Sequence, residues 1–303
     1  AFICKDGLCK FTSEAPLELI KAQSSKSNGV IDVATKNFAF SVDIDSKTGI
    51  ITSYKSNGNE FLLNGYGPRP AFWRAPTDND YGWKMPKESR LWKEATEQAP
   101  KATSVKASQK GDAVQVEVMY KMDPVNSTWI TKYTILGNGA IKVDNEFANN
   151  GDEKSIIPRI GMKMQMPAQF TNLEYFGRGP WENYSDRNSS TFVGRYKSTV
   201  AEQYVPYIRP QENGHRTDVR WLALSTKAGN GLVITADSVI EFNVLNNPVE
   251  DFDAGPDKDK NLRHTNDIKP KDLVELHIDF QMIGVGGDDS WGSRPHEQYL
   301  IKP

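Results

Sequence analysis

Apolar and polar residues alternate with a period of two along much of this chain. In LVELHIDFQM, Val274, Leu276, Ile278, Phe280 and Met282 fall on one side, and Glu275, His277, Asp279 and Gln281 on the other. The same alternation runs through DAVQVEVMYKM (Val114, Val116, Val118, Tyr120), NFAFSVDI (Phe38, Phe40, Val42, Ile44) and AIKVDNEF (Ile141, Val143, Phe147). Successive side chains of an extended strand point to opposite faces, so this period predicts strands with one packed and one solvated face. His277 is accordingly expected at the surface. Asn57-Gly58, Gly111-Asp112, Asn138-Gly139 and Asn150-Gly151 fall between such runs and tolerate the positive φ of tight hairpins. Many strands joined by short antiparallel turns predict an all-β fold, a large antiparallel β-sandwich of two sheets. One stretch reads as a short helix, PKESRLWKEATEQ at 86–98, with Pro86 in its first turn and Leu91, Trp92 and Ala95 on one face. Residues 1–28 end in KAQSSKSNG and read as a linker or the tail of a preceding domain; residues 29–303 read as one domain.

Composition narrows the classes. Apolar residues make up 38% and charged residues 25% of 303, the profile of an ordinary globular protein. The formal charge of −2 comes without a basic stripe, so nucleic acid is not an expected partner. Apolar runs of about five residues fall far short of the roughly 20 that span a bilayer, so no membrane partner is expected. The opening AFICKDGLCK lacks the features of a signal peptide. Cys4 and Cys9 could close a small loop or stand as free thiols, and both readings stay open. His215, His264, His277 and His296 show no metal-ligand spacing, so no metal is expected. No nucleophile elbow or phosphate-binding loop occurs; GVGGDD is followed by Ser-Trp-Gly-Ser-Arg-Pro, not by a helix.

The polar chemistry collects in four loops: RPAFWRAPTDNDYGW (69–83), YFGRGPWENYSDRNSS (175–190), YVPYIRPQENGHR (204–216) and GVGGDDSWGSRP (284–295). Each mixes Gly or Pro, charged groups and an aromatic. A sugar needs this mixture, because its C–H face lies against an indole while its hydroxyls seek charged and amide partners. Trp291, with Asp288, Asp289, Asp78, Asn79 and Asp80, is the candidate binding set. Arg74, Arg178, Glu182, Glu212 and Arg216 are candidate supporting residues. A purely structural reading also fits single loops: Asx turns, with Arg178, Arg187 and Arg195 paired to Glu182 and Asp186.

In the order FWRAPTDNDYG, YFGRGPWENYSDR, YVPYIRPQENGHR and GVGGDDSW, the loops resemble the C-terminal (small-chain) domain of family 2 glycoside hydrolase β-galactosidases, over roughly residues 30–303. The resemblance implies a galactose-mutarotase-like supersandwich. It implies that Trp291 reaches the active-site mouth as a stacking platform, and that Asp78, Asn79, Asp80 and Gly82 lead into a mobile loop beside it. It implies that residues 177–184 are mainly structural, with Arg178 and Glu182 organising a concave surface. Retaining β-galactosidases use two carboxylates about 5 Å apart, and in this family both are carried by a TIM barrel. No βαβα alternation occurs here, and Glu182-Asn183 and Glu212-Asn213 reverse the barrel's Asn-Glu order. No catalytic residue is therefore expected in this chain, and alone it should be inactive. The implied partners are an upstream TIM-barrel domain of the same polypeptide and a β-galactoside, in a homo-oligomeric enzyme. Cofactors are expected to be absent from this domain, the family's magnesium and sodium sites lying mostly elsewhere. A bacterial periplasmic or cytoplasmic home both fit. Two rivals are a stand-alone carbohydrate-binding module and a mutarotase-type epimerase using His215 beside Glu212.

Overall fold

The computed structural model describes residues 29–34, 40–150, 153–256, 258–261, 264–289 and 291–302 with their side chains. It describes the backbone alone of Ile3–Lys5, Leu8–Lys10 and Lys21–Ser25. The rest of the 1–28 lead-in, the side chains of Cys4 and Cys9, and Phe38, Gly151 and Ser290 lie outside the described residues. The chain divides into two compact units, residues 1–69 with 99–152 and residues 70–98 with 153–303. The strands pair antiparallel throughout, as the alternation and the hairpin turns predict.

In the first unit, one sheet runs Lys21–Ser25, Val30–Ala34, Phe40–Asp45, Ile51–Ser56 and Asn59–Glu60. A second runs Ile141–Ala148, Ser127–Ile135, Ala113–Met122 and Ala102–Lys110. Their apolar faces are the ones the alternation marks: Val42 and Ile44 from one sheet, and Val114, Val116, Val118 and Tyr120 from the other, are fully buried. Removing such faces from water is the main favourable term in forming the sandwich. The sheets approach so closely at Gly49 (φ +69°) that a Cβ there would lie 2.2 Å from Val118, so no larger residue fits. Val143 sits on an edge strand and stays exposed.

The second unit is built on a seven-stranded sheet ordered Phe192–Thr199, Asn172–Gly179, Arg216–Ser225, Gly231–Leu245, Leu273–Met282, Arg159–Pro167 and Arg69–Ala71. Leu273–Met282 is interior, and its burial departs from the expected two-face pattern. Val274 and Leu276 are fully buried, but so are Glu275, His277 and Asp279, while Phe280 is 74% exposed. His277 is thus a core residue and not a surface one. The cause is a roof of loops over the polar face: Val249 and Phe252 pack there, and the Val249 amide donates to Glu275 at 3.0 Å.

The helix expected at 86–98 occurs as two pieces, Met85–Glu88 and Arg90–Glu97, interrupted at Ser89, whose hydroxyl donates to the Ile156 carbonyl. Trp92 is fully buried, with its ring 5.5 Å from that of Phe72 and its indole nitrogen 3.0 Å from Ser155 Oγ. A third helix, Asp78–Gly82, forms within the 69–83 loop. Thr77 caps it, accepting from the Asp80 amide while Asp80 accepts from the Thr77 amide. Among the described residues no helix is long and apolar enough to cross a membrane.

Candidate functional site

The strand Leu273–Met282 ends in a glycine-rich arm that carries Trp291 at its tip. The indole is 87% exposed. Its backbone does not share that freedom. The Asp289 carboxylate accepts from the Trp291 amide at 2.8 Å and the Ser293 amide at 3.3 Å, closing an Asx turn. That first bond holds the Asp289 carboxyl below its ordinary range. Asp288 meets His296 Nε2 at 2.7 Å.

Asn79 clasps both ends of the loop. Its amide nitrogen donates to the carbonyls of Gly286 (3.3 Å) and Ser293 (2.8 Å), and its oxygen accepts from the Gly292 amide (3.0 Å). A Cβ on Gly292 (φ +119°) would lie 2.5 Å from Gly82, so glycine is required where arm and helix cross. Beneath, Arg74 and Asp80 form a fully buried two-pronged pair at 2.5 and 3.0 Å, and Arg74 also donates to the Gly284 carbonyl. Both Asp80 oxygens are therefore committed, and Asp80 does not face solvent. Asp78 does, paired with Lys258 at 3.1 Å. Arg294 bonds Glu88 and lies 5.3 Å over the Trp83 ring.

A second group gathers around Glu182. Its carboxylate accepts from Arg187 (2.6 Å), the Gly214 amide (2.7 Å) and the Tyr207 hydroxyl. Arg216 is buried and spans Tyr175, Gly214 and Pro180. Arg178 pairs with Asp218 and Arg195 with Glu174, whereas Asp186 accepts backbone amides of the arm. Of the pairings open to these arginines, only Arg187 with Glu182 is the one named from sequence.

Glu212 belongs to a third group, a polar interior under the loop roof. A cavity of about 270 Å³, counting its open mouth, is lined by Arg159, Glu212, Asn243, Glu275 and His277, with Val249 and Phe252 opposite. Its polar wall is engaged mostly with itself, which leaves little to hold a ligand. Arg159 donates to His277 Nδ1 (2.9 Å) and to Asn243 Oδ1 (2.5 Å), and Asn243 donates to Glu212 (2.8 Å). Arginine can only donate, so His277 Nδ1 is bare and Nε2–H faces Glu275 at 3.0 Å. His215 bridges Asn243 and Glu241 and does not bond Glu212. Asp279 lies 3.2 Å from Arg159 Nε but out of hydrogen-bond alignment, and neither of its oxygens has a hydrogen-bond donor.

Burial sets the direction of the shifts at His277 and Asp279. It pushes His277 down to about 4, with the Arg159 charge adding to the effect. It pushes Asp279 up to about 7 against the pull of Arg159. For Glu275 the hydrogen bond from His277 and the charge of Lys163 outweigh burial and hold the carboxyl low. Above about pH 4 the folded His277 stays neutral while the unfolded ring still binds a proton up to about 6.5, so raising the pH adds stability. Asp279 keeps its proton when folded while the unfolded carboxyl has lost it above 3.8, so raising the pH removes stability. The two oppose each other. Asp279→Asn is expected to gain about 2 kcal/mol between about pH 4.5 and 6.5 relative to the parent chain. Urea unfolding at both pH values measures the gain, and equal slopes for the two proteins would refute it.

Sequence reasoning missed Arg159, Asn243, Asp279 and the arm-binding role of Asp186. The polar triplet Glu275, His277, Asp279 at i, i+2, i+4 was visible, but nothing local says whether such a face meets water or a roof. Among the described residues no cluster of three or more His, Cys, Asp or Glu is arranged to hold a metal ion.

The family model "Beta galactosidase small chain" matches residues 36–303. A β-galactosidase of Priestia megaterium is 34% identical over 263 residues, covering 86% of this chain and 24% of that protein. A β-galactosidase of Streptococcus thermophilus is 30% identical over 294 residues, covering 96% and 27%. A solved structure of a suspected aldose 1-epimerase from Escherichia coli K12 covers 87% of this chain and 90% of its own, at 11% identity and TM-score 0.42. The chain thus spans about a quarter of the length of the curated relatives it matches.

Proposed function

Because the chain belongs to the β-galactosidase small-chain family, we propose that it is the non-catalytic domain that completes the active-site mouth of a β-galactosidase. The acid/base and nucleophile glutamates would come from a TIM-barrel domain of the same enzyme, which cleaves terminal β-galactosides. This domain contributes Trp291 as a flat apolar surface for the sugar or its aglycone. Asp288 and Asp289 shape the loop and offer acceptors at its rim. Asn79, Asp80 and Arg74 serve as its scaffold: Asn79 is spent on the arm, both Asp80 oxygens on Arg74, and the Arg74 terminal nitrogens on Asp80 and the Gly284 carbonyl.

One observation supports the reading most: an indole that is almost wholly exposed sits on a backbone pinned from several sides. Exposing a large aromatic forgoes the stabilisation of burial, and a pinned loop would not be needed for an idle surface residue. In the full-length enzyme carrying this sequence, Trp291→Ala is expected to lower kcat/KM on a chromogenic β-galactoside by about 30-fold, the scale of losing a buried aromatic anchor. Trp291→Phe should recover much of it. The isolated chain should show no turnover. Turnover by this chain at the rate of a whole enzyme, or an unaltered kcat/KM in Trp291→Ala, sinks the proposal.

A further inference from the structure

We propose that Asp186 is a positioning residue for the Trp291 indole, its carboxylate fixing the base of the arm that carries the ring. The inference rests on the reading of Trp291 as a sugar platform.

Asp186 comes from a separate part of the chain, 99 and 100 positions from the amides it binds. It accepts from Val285 N–H at 3.2 Å and Gly286 N–H at 2.8 Å. A carboxylate accepting two consecutive backbone amides makes strong, charge-assisted bonds that fix direction as well as distance. The arm is shaped to receive it: a Cβ on Gly284 would lie 2.3 Å from Asp186 Oδ2, and one on Gly286 would lie 3.2 Å away. Gly284 and Gly286 of GVGG thus make room for a side chain of the same protein.

The donor of that carboxylate is itself rigid. Asp186 sits in the two-residue turn between Tyr184 and Arg187, which exchange backbone bonds at 3.2 and 2.8 Å. Tyr184 is buried and stacks on His215 with ring centroids 5.4 Å apart. Arg187 lies over the Tyr184 ring and binds Glu182. Next to the turn, the Asn183 side chain accepts from the Thr217 amide and hydroxyl at 2.9 and 2.6 Å, bolting the segment to the sheet. Asp186 and Asn79 thus grip the arm from two segments, Asp186 at its base and Asn79 across its loop. A platform ordered in advance loses less entropy when the sugar arrives, so its clamp should act on substrate binding.

The test is a double-mutant cycle in the full-length enzyme on a chromogenic β-galactoside. Asp186→Asn keeps the size but turns one acceptor oxygen into a donor facing an N–H. It is expected to raise KM about 10-fold with kcat within about twofold. In a Trp291→Ala background the same substitution should change KM less than about twofold, because nothing is left to position. In the isolated chain, amide exchange at Val285 and Gly286 should rise at least about 10-fold in Asp186→Asn, while the strand Leu273–Met282 keeps its protection. Asp186→Asn with unaltered KM, an equal effect in both backgrounds, or unaltered exchange at 285 and 286 overturns the inference while leaving the platform intact. Trp291→Ala without effect removes the platform, and this inference with it.

Discussion

Replacing Arg159 by methionine is expected to destabilise the second unit by about 3–5 kcal/mol and to lower its melting temperature by roughly 10 °C. Arg159 is almost wholly buried and reaches His277, Asn243 and the Met282 sulfur, with Asp279 and Glu212 at ion-pair distance. Methionine fills much of the volume but satisfies none of these groups. The cost comes from what stays behind: a bare acceptor on His277, an Asn243 oxygen left with His215 alone, and carboxyls without a counter-charge. The proton that Asp279 retains softens one of them, which keeps the figure below that for several ionised groups. Combining Arg159→Met with Asp279→Leu should recover part of the loss, since an apolar pair leaves fewer orphans. Calorimetric melting of the parent, single and double variants decides it; a single-variant loss below about 1 kcal/mol would show that the polar interior carries no such weight.

Arg74→Met is expected to cost about 3 kcal/mol by leaving Asp80 enclosed without its partner. Thr77 still offers Asp80 its amide and hydroxyl, at 2.7 and 3.0 Å, so the carboxylate is not wholly stranded. Arg74→Lys separates charge from shape. Lysine restores a positive charge but not the fork that spans both Asp80 oxygens and the Gly284 carbonyl. It should regain less than half of the lost stability, and the amides at the base of the arm should still exchange faster than in the parent. Full recovery by lysine would mean that the charge alone matters, and that Arg74 plays no part in holding the arm.

Much of the fold is readable because burial and alternation coincide in most strands. Val114, Val116, Val118 and Tyr120 are core as their period predicts. The rule breaks at Leu273–Met282, where period two is kept but both faces are enclosed along part of the strand. A strand's own residues report its two faces, not what covers them, and the cover comes from residues such as Val249 and Phe252, more than twenty positions upstream. The short helix Asp78–Gly82 was legible in principle as Thr77-x-x-Asp80, but the surrounding Pro, Gly and Asn residues read more strongly as loop. At the candidate site, the sequence marked Trp291 as out of place in a core, and it is exposed. The division of labour among its neighbours was not legible. Whether Asn79, Asp80 and Asp186 meet a ligand or the arm depends on contacts between residues as far apart as 214 positions.

The second unit is assembled from segments that leave the ribosome far apart in time. Arg74 and the carbonyl it holds at Gly284 are separated by 210 positions, and the clasp of Asn79 on Gly292 by 213. At elongation rates of roughly 5–20 residues per second, that interval is about 10–40 s. For most of it, the segment bearing Phe72, Arg74, Asp80 and Trp92 has been translated while the last strand of its sheet, Leu273–Met282, has not. Yield in a cell should therefore track the supply of holding chaperones and the pace of translation between these segments, more closely than it tracks the equilibrium stability of the finished domain.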